Sequence, residues 1–108
     1  MFHHLTKNPL FKFAESDVKP TSTSQSGFKS REKFDFIFHM AGHASPDEYQ
    51  AHPIETLQTS ALGSFGMVEL ARKNDATLLF ASTSEVYGDT EVIPTPESYW
   101  GKVNPIGP

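Results

Sequence analysis

Ser82-Thr83-Ser84-Glu85 follows directly on Leu78-Leu79-Phe80-Ala81, so an apolar run turns polar within one residue. Three hydroxyls and a carboxylate in succession can hydrogen-bond a polyol and can orient or remove a proton. The apolar run has the length and composition of a strand buried on both faces. In open α/β sheets, ligands sit beyond the carboxyl ends of the strands. A buried strand ending in hydroxyls and a carboxylate therefore reads as a reactive edge. The simpler alternative is a cap: Ser82 or Ser84 satisfies the first amides of a following helical turn, with Glu85 in that turn. Residue types alone leave both readings open.

The elements that must position this edge are legible on either side. Phe34-Asp35-Phe36-Ile37-Phe38-His39-Met40-Ala41-Gly42 is a second strand candidate, rich in aromatic and β-branched residues and ending in small ones. Ser45-Pro46-Asp47-Glu48 is a helix start, with a Ser cap, Pro at the first position and Glu at the third. Pro53 interrupts that helix and begins another. From there Ile54, Leu57, Ala61, Phe65, Val68 and Ala71 recur at helical spacing as one apolar face. Gly63 and Gly66 inside it mark close packing against a neighbour, since no strand-to-turn junction precedes them.

Upstream, Phe2 to Asn8 reads as the tail of a helix ended by Pro9. Leu10 to Glu15 alternates apolar and polar, which predicts a short strand closing near Ser16-Asp17-Val18. Residues 19–33 are polar and serine-rich, a mobile surface loop. Residues 89–108 hold Pro94, Pro96, Pro105 and Pro108 and read as an irregular segment. His39 and His43 fall on a strand and its exit, so they do not share a helix face, and no metal-ligand spacing is present.

The chain has 108 residues, one small domain at most, with 37% hydrophobic residues and a net charge of -4. Lys and Arg are absent from Phe34 through Ala71, so no basic stripe points to nucleic acid. Zero cysteines exclude disulfides, thiolate metal sites and a cysteine nucleophile. No apolar run reaches about 18 residues and no signal-peptide pattern is present, so the expectation is a cytoplasmic protein without a membrane partner.

Ser82-Thr83-Ser84-Glu85-Val86-Tyr87-Gly88, followed by Tyr99-Trp100-Gly101-Lys102-Val103-Asn104-Pro105-Ile106-Gly107-Pro108, resembles the extended short-chain dehydrogenase/reductase superfamily, within it the UDP-glucuronate decarboxylase (UDP-xylose synthase) branch. Fainter similarity reaches back to about Phe11. The resemblance implies an α/β fold, a partial Rossmann-type doubly wound parallel sheet covering the region of strands 3 to 5 of the cofactor domain. It implies NAD as cofactor, with Asp17 and Val18 at the adenine, and with Met40, Ala41, Gly42, Thr59 and Ser82 along the dinucleotide. UDP-glucuronate is the implied substrate, contacted by Thr83, Glu85, Asn104 and Pro105, and the family is usually homodimeric. Two positions depart from the pattern. Ser60 stands where the family usually has Asn, and Gln58 where the branch tends to have Lys, and both departures weaken the implied contacts.

By that resemblance Thr83, Ser84 and Glu85 are the catalytic residues present. The implied reaction oxidises the sugar at C4, which makes a β-keto acid that loses carbon dioxide, and the ketone is then reduced to give the UDP-pentose. Thr83 would hydrogen-bond the C4 oxygen, and Glu85 would act near C5 as base or orienter. Related 4,6-dehydratases carry Asp at the position of Ser84, a general acid for the departing C6 hydroxyl. A serine hydroxyl is far too weak an acid for that step. Ser84 therefore favours decarboxylation over dehydration, and Glu85 separates the chain from the epimerases.

Two family features are missing. None of the glycines at 27, 42, 63, 66, 88, 101 and 107 forms the phosphate-binding fingerprint after a strand. Tyr49, Tyr87 and Tyr99 are followed four residues later by Pro53, Glu91 and Val103, so no Tyr-x-x-x-Lys occurs. The resemblance thus implies an interior piece of the cofactor domain, lacking the first βαβ unit and inactive alone. The alternatives are a 4,6-dehydratase or epimerase of the same superfamily, or a non-catalytic remnant that acts only as an interaction partner.

Overall fold

A computed structural model describes residues 4–19, 28 and 30–104. The element order is β1 (Phe36–His39), α1 (Pro46–Ala51), α2 (Pro53–Gln58), a wide π-turn (Thr59–Gly63), α3 (Ser64–Asn74), β2 (Thr77–Phe80) and a 3₁₀ turn (Ser84–Tyr87). The two strands pair in parallel, Phe36 with Thr77, Ile37 with Leu78, Phe38 with Leu79 and His39 with Phe80. The chain is therefore α/β, a partial Rossmann-type arrangement of two parallel strands joined through helices.

Local chemistry sets each boundary. Ser45 occupies the cap position of α1 in an extended conformation without a side-chain bond, and Pro46 opens the helix as expected. His52 leaves helical geometry at φ -128° and Pro53 starts α2. α3 ends at Asp75, which takes the left-handed conformation at φ 55° while its amide reaches back to Ala71 and Arg72. Asn74 ties that end to β1: its Oδ1 accepts from the Phe34 amide at 3.2 Å and its Nδ2 donates to the Leu70 carbonyl at 2.8 Å.

Alternation along β1 turns Ile37 and His39 toward α3 and leaves Phe36 and Phe38 on the opposite face, 66% and 61% exposed. The strands are apolar on both faces, as their sequence requires, yet among the described residues only one face is covered. The helix also differs from its predicted face. Gly63, Gly66, Met67 and Ala71 are the buried positions, whereas Ile54, Leu57, Phe65 and Val68 point outward. The small residues win because they let the helix approach closely. A Cβ on Gly63 would stand 2.8 Å from Val18 Cγ2, so Val18 fills the space that Gly63 leaves.

Two upstream expectations are corrected. Leu10 to Glu15 forms no strand, since a strand exists through its ladder and no described segment pairs with it. The predicted helix tail before Pro9 is, over residues 4–8, a set of turns closed by Asn8 N–H to Leu5 O at 2.8 Å. The loop expected over 19–33 lies largely outside the described residues.

With so little of the apolar surface covered, urea unfolding is expected to be shallow and to begin at low denaturant, because its slope scales with area exposed. Phe38→Lys should reduce self-association in sedimentation velocity while leaving helical circular dichroism unchanged. A single steep transition from a monomer would contradict this.

Candidate functional site

Because β1 and β2 run parallel, their carboxyl ends emerge at one edge. The pairing continues one step past the strands, where the Ala81 amide donates to the His39 carbonyl at 3.0 Å. Beyond it the chains diverge, Met40-Ala41-Gly42 to one side and Ser82-Thr83 to the other. The gap is a crevice of about 760 Å³, walled by these residues and by Glu85, with Ser60 and Ser64 on the helical side. A Cβ on Gly42 would meet nothing within 4 Å, so this wall is open space beside the backbone. Behind the Phe80 and Ser64 that line it lies His39, 4% exposed, its ring edge-on to Phe80 with centroids 5.3 Å apart. Burial lowers the His39 pKa from its ordinary value, which keeps the imidazole neutral.

Thr83 is the cap of the 3₁₀ turn, its Oγ1 accepting from the Glu85 amide at 3.4 Å. The cap reading is thus present, but at Thr83 in place of Ser82 or Ser84. That bond uses an acceptor lone pair and leaves the hydroxyl proton free to donate. Glu85 is exposed at the crevice mouth.

On one flank, Asp17, Val18, Ala41 and Thr59 line a hollow of about 450 Å³. The Asp17 Oδ1 accepts from the Lys19 amide at 2.9 Å and Oδ2 lies 3.4 Å from Lys19 Nζ. The bond from the Lys19 backbone holds the Asp17 carboxyl below its usual range. This carboxylate starts a turn and lines the hollow. The π-turn explains how neighbouring residues serve two spaces: Thr59 lines this hollow while Ser60 lines the crevice. Such turns recur at functional sites, and this one was not foreseen from sequence.

On the other flank, Ser84, Glu85, Tyr87, Thr90, Thr95 and Asn104 line a hollow of about 650 Å³. Its far wall is the loop from Asp89 to Gly101, closed by Asp89 N–H to Lys102 O at 3.1 Å and Lys102 N–H to Tyr87 O at 2.9 Å. Lys102 also pairs with Glu91. Closure requires glycine at two places. Gly88 has φ +62° and a Cβ there would overlap the Lys102 carbonyl; Gly101 has φ +87° and its Cβ would stand 2.8 Å from Val86 O.

Ala41 borders both the first hollow and the crevice, and Glu85 borders both the crevice and the second hollow. The three spaces make up a row along the strand ends, neighbours through these shared residues. Of the residues singled out in the sequence, Asp17, Val18, Thr59, Met40, Ala41, Gly42, Ser82, Thr83, Ser84, Glu85 and Asn104 all border it, whereas Pro105 lies outside the described residues. Sequence reasoning missed Ser64, Tyr49, Thr90 and Thr95. Ser60 and Ser64, two hydroxyls four residues apart on one helix face, carried a signal that could have been read. Among the described residues no group of three His, Cys, Asp or Glu could hold a metal ion, and no helix is long and apolar enough to cross a membrane.

Comparison with known proteins gives a family model described as the NAD dependent epimerase/dehydratase family, matching residues 2–108. UDP-glucuronic acid decarboxylase 1 of Xenopus tropicalis is 57% identical over 74 residues, 68% of this chain and 18% of that protein. The Danio rerio protein of the same name gives the same identity and coverage. UDP-glucuronic acid decarboxylase 2 of Arabidopsis thaliana is 39% identical over 107 residues, 99% of this chain and 22% of its own length. The chain thus spans about a fifth of the length of these curated relatives.

Gly88→Ala is expected to cost about 1–3 kcal/mol of local strain and to release the loop. Amide hydrogen exchange at Asp89 and Lys102 should then accelerate, whereas Gly42→Ala should leave both amides unchanged. Equal exchange in the two variants would refute the closure geometry.

Proposed function

The chain belongs to the NAD dependent epimerase/dehydratase family, and from that premise we propose that it carries part of the cofactor and sugar site of an NAD-dependent UDP-glucuronate decarboxylase. The observation that carries the reading is the row of three spaces along the strand ends, in which the crevice shares Ala41 with the hollow beside Asp17 and Glu85 with a hydroxyl-lined hollow.

The small wall at Met40-Ala41-Gly42 and the open space at Gly42 fit a flat dinucleotide pressed against backbone. Asp17 and Val18 would hold the adenine end, Thr59 and Ser82 the middle, and Met40 to Gly42 the nicotinamide end. Bound NAD supplies hydride acceptance at the sugar C4 and its later return. Thr83 donates a hydrogen bond from its free hydroxyl to the C4 oxygen as carbonyl character develops there, and keeps its proton. Glu85, at the junction of crevice and sugar hollow, orients the sugar at C5 and exchanges a proton with it. Ser84 and Asn104 hydrogen-bond the sugar without donating a proton to a leaving hydroxyl. A 4,6-dehydratase or epimerase is the second reading, and the neutral Ser84 beside Glu85 disfavours it.

The chain alone is proposed to be inactive, because its 108 residues hold no Tyr-x-x-x-Lys to take the C4 proton. The outward face of Ile54, Leu57, Phe65 and Val68 is proposed to support pairing with a second copy.

In ¹⁵N nuclear magnetic resonance titrations, NAD is expected to bind weakly, with a dissociation constant of order 1 mM (about -4 kcal/mol). It should shift Met40 to Gly42 and Ser82, whereas UDP-glucuronate should shift Ser84, Glu85 and Asn104. No carbon dioxide should be released. Shifts confined to the outward helix face, or turnover of UDP-glucose to a 4-keto-6-deoxy sugar, would overturn the assignment.

A further inference from the structure

His39 is the buried polar side chain that the proposed chemistry does not use. Its Nε2 lies 3.2 Å from Ser64 Oγ, the first residue of α3 after the π-turn. Its ring also abuts Phe80. Ser64 and Phe80 both line the crevice, and Met40, which follows His39, is part of the opposite wall. The imidazole therefore sits behind the crevice and touches two of its lining residues, Ser64 and Phe80.

We propose that His39 is a positioning residue: its neutral imidazole fixes the Ser64 hydroxyl, and with it the π-turn carrying Ser60, so that the nicotinamide end of the crevice keeps its shape only while that ring is uncharged. The effect on cofactor binding rests on the reading of this crevice as the nicotinamide site; the coupling between ring and wall does not.

The surroundings argue for it. α3 packs on the sheet there, and its buried positions are Gly66, Met67 and Ala71, so an apolar pair of similar size would pack as well as His39 and Ser64. A hydrogen bond between two buried neutral side chains instead fixes orientation, and losing one partner strands the other. From α3 the group facing the ring is the neutral Ser64, and from β2 it is the neutral Phe80. Burial alone accounts for the depressed pKa, and no Asp, Glu, Lys or Arg among the described residues acts on the ring. A proton on His39 would thus be a buried charge without a counter-charge, which the site relieves by opening. The sign follows. The folded pKa lies below the unfolded value of about 6.5, so the unfolded and opened forms bind the proton more tightly. The closed arrangement is fully favoured above that value and is lost as pH falls through the folded pKa.

The test is an imidazole nuclear magnetic resonance titration of the whole chain from pH 8 to 5. His39 is expected to hold one neutral tautomer and to titrate below the ordinary imidazole value of about 6.5. Its titration should move the amides of Met40, Ser60 and Ser64 together while Tyr87 and Lys102 stay still. Ser64→Ala should abolish the tautomer preference and Ser64→Thr should restore it, a rescue that a purely space-filling role would not produce. If Ser64→Ala does not fold, the wild-type titration and Ser64→Thr still decide the matter. In a separate arm, the NAD-induced shifts at Met40 to Gly42 should be lost at the His39 midpoint. Absence of NAD shifts at every pH would sink the cofactor reading and leave the coupling to be judged by the ring. Titration of His39 at or above the ordinary imidazole value, or crevice amides indifferent to it, would overturn the proposal.

Discussion

The parallel pairing of β1 with β2 is the constraint on which the arrangement depends. Parallel strands cannot be joined by a tight turn, so the chain must leave Gly42, travel through helices and return at Thr77. That detour does two things at once. It lays α3 across one face of the sheet, and it forces both strand exits to the same edge. Met40-Ala41-Gly42 and Ser82-Thr83-Ser84-Glu85, separated by some forty residues of helix and turn, thereby become the two walls of one crevice. A side-chain period of two means that a slip of one residue would exchange the covered and open faces. His39 would then leave Ser64, and Phe38 would be pressed into its place.

The crossing helix is adapted to that role by what it lacks. Gly63 and Gly66 remove side chains where Val18 and the sheet approach. The π-turn adds a residue within the rod, so Thr59 and Ser60 reach two different spaces. Asn74 closes the far end by bonding both its own helix and the entry to β1. Each device serves proximity between backbones more than bulk hydrophobic burial. That fits a scaffold whose task is to bring two loop segments together at a ligand.

Much of this was legible in the residues. The strands showed as aromatic and β-branched runs that ended abruptly in small or polar residues, and Pro46 and Pro53 marked two helix starts. The polar run Ser82 to Glu85 identified the edge because apolar-to-polar transitions at strand ends are rarely accidental in an α/β pattern. Other features lay beyond local reading. The alternation at Leu10 to Glu15 predicted a strand, but alternation describes a surface and cannot supply the neighbouring ladder. Gly63 and Gly66 were legible as points of close packing, but the helix carried apolar residues on more than one side, and periodicity weights large side chains, so Ile54, Leu57 and Phe65 were read as the packed face in place of Met67. The π-turn has no spacing signature. Thr90 and Thr95 reach their hollow only because Gly88 and Lys102 pair across the intervening loop, a contact no local pattern encodes.

The register of the two strands is the direct point of test. Nuclear Overhauser contacts between β1 and β2 should place Ile37 opposite Leu78 and Phe38 opposite Leu79, and the amides of Thr77 and Ala81, bonded to Asp35 and His39, should exchange more slowly than their neighbours. An antiparallel pattern, or a parallel one displaced by a residue, would separate the two walls of the crevice and contradict the account.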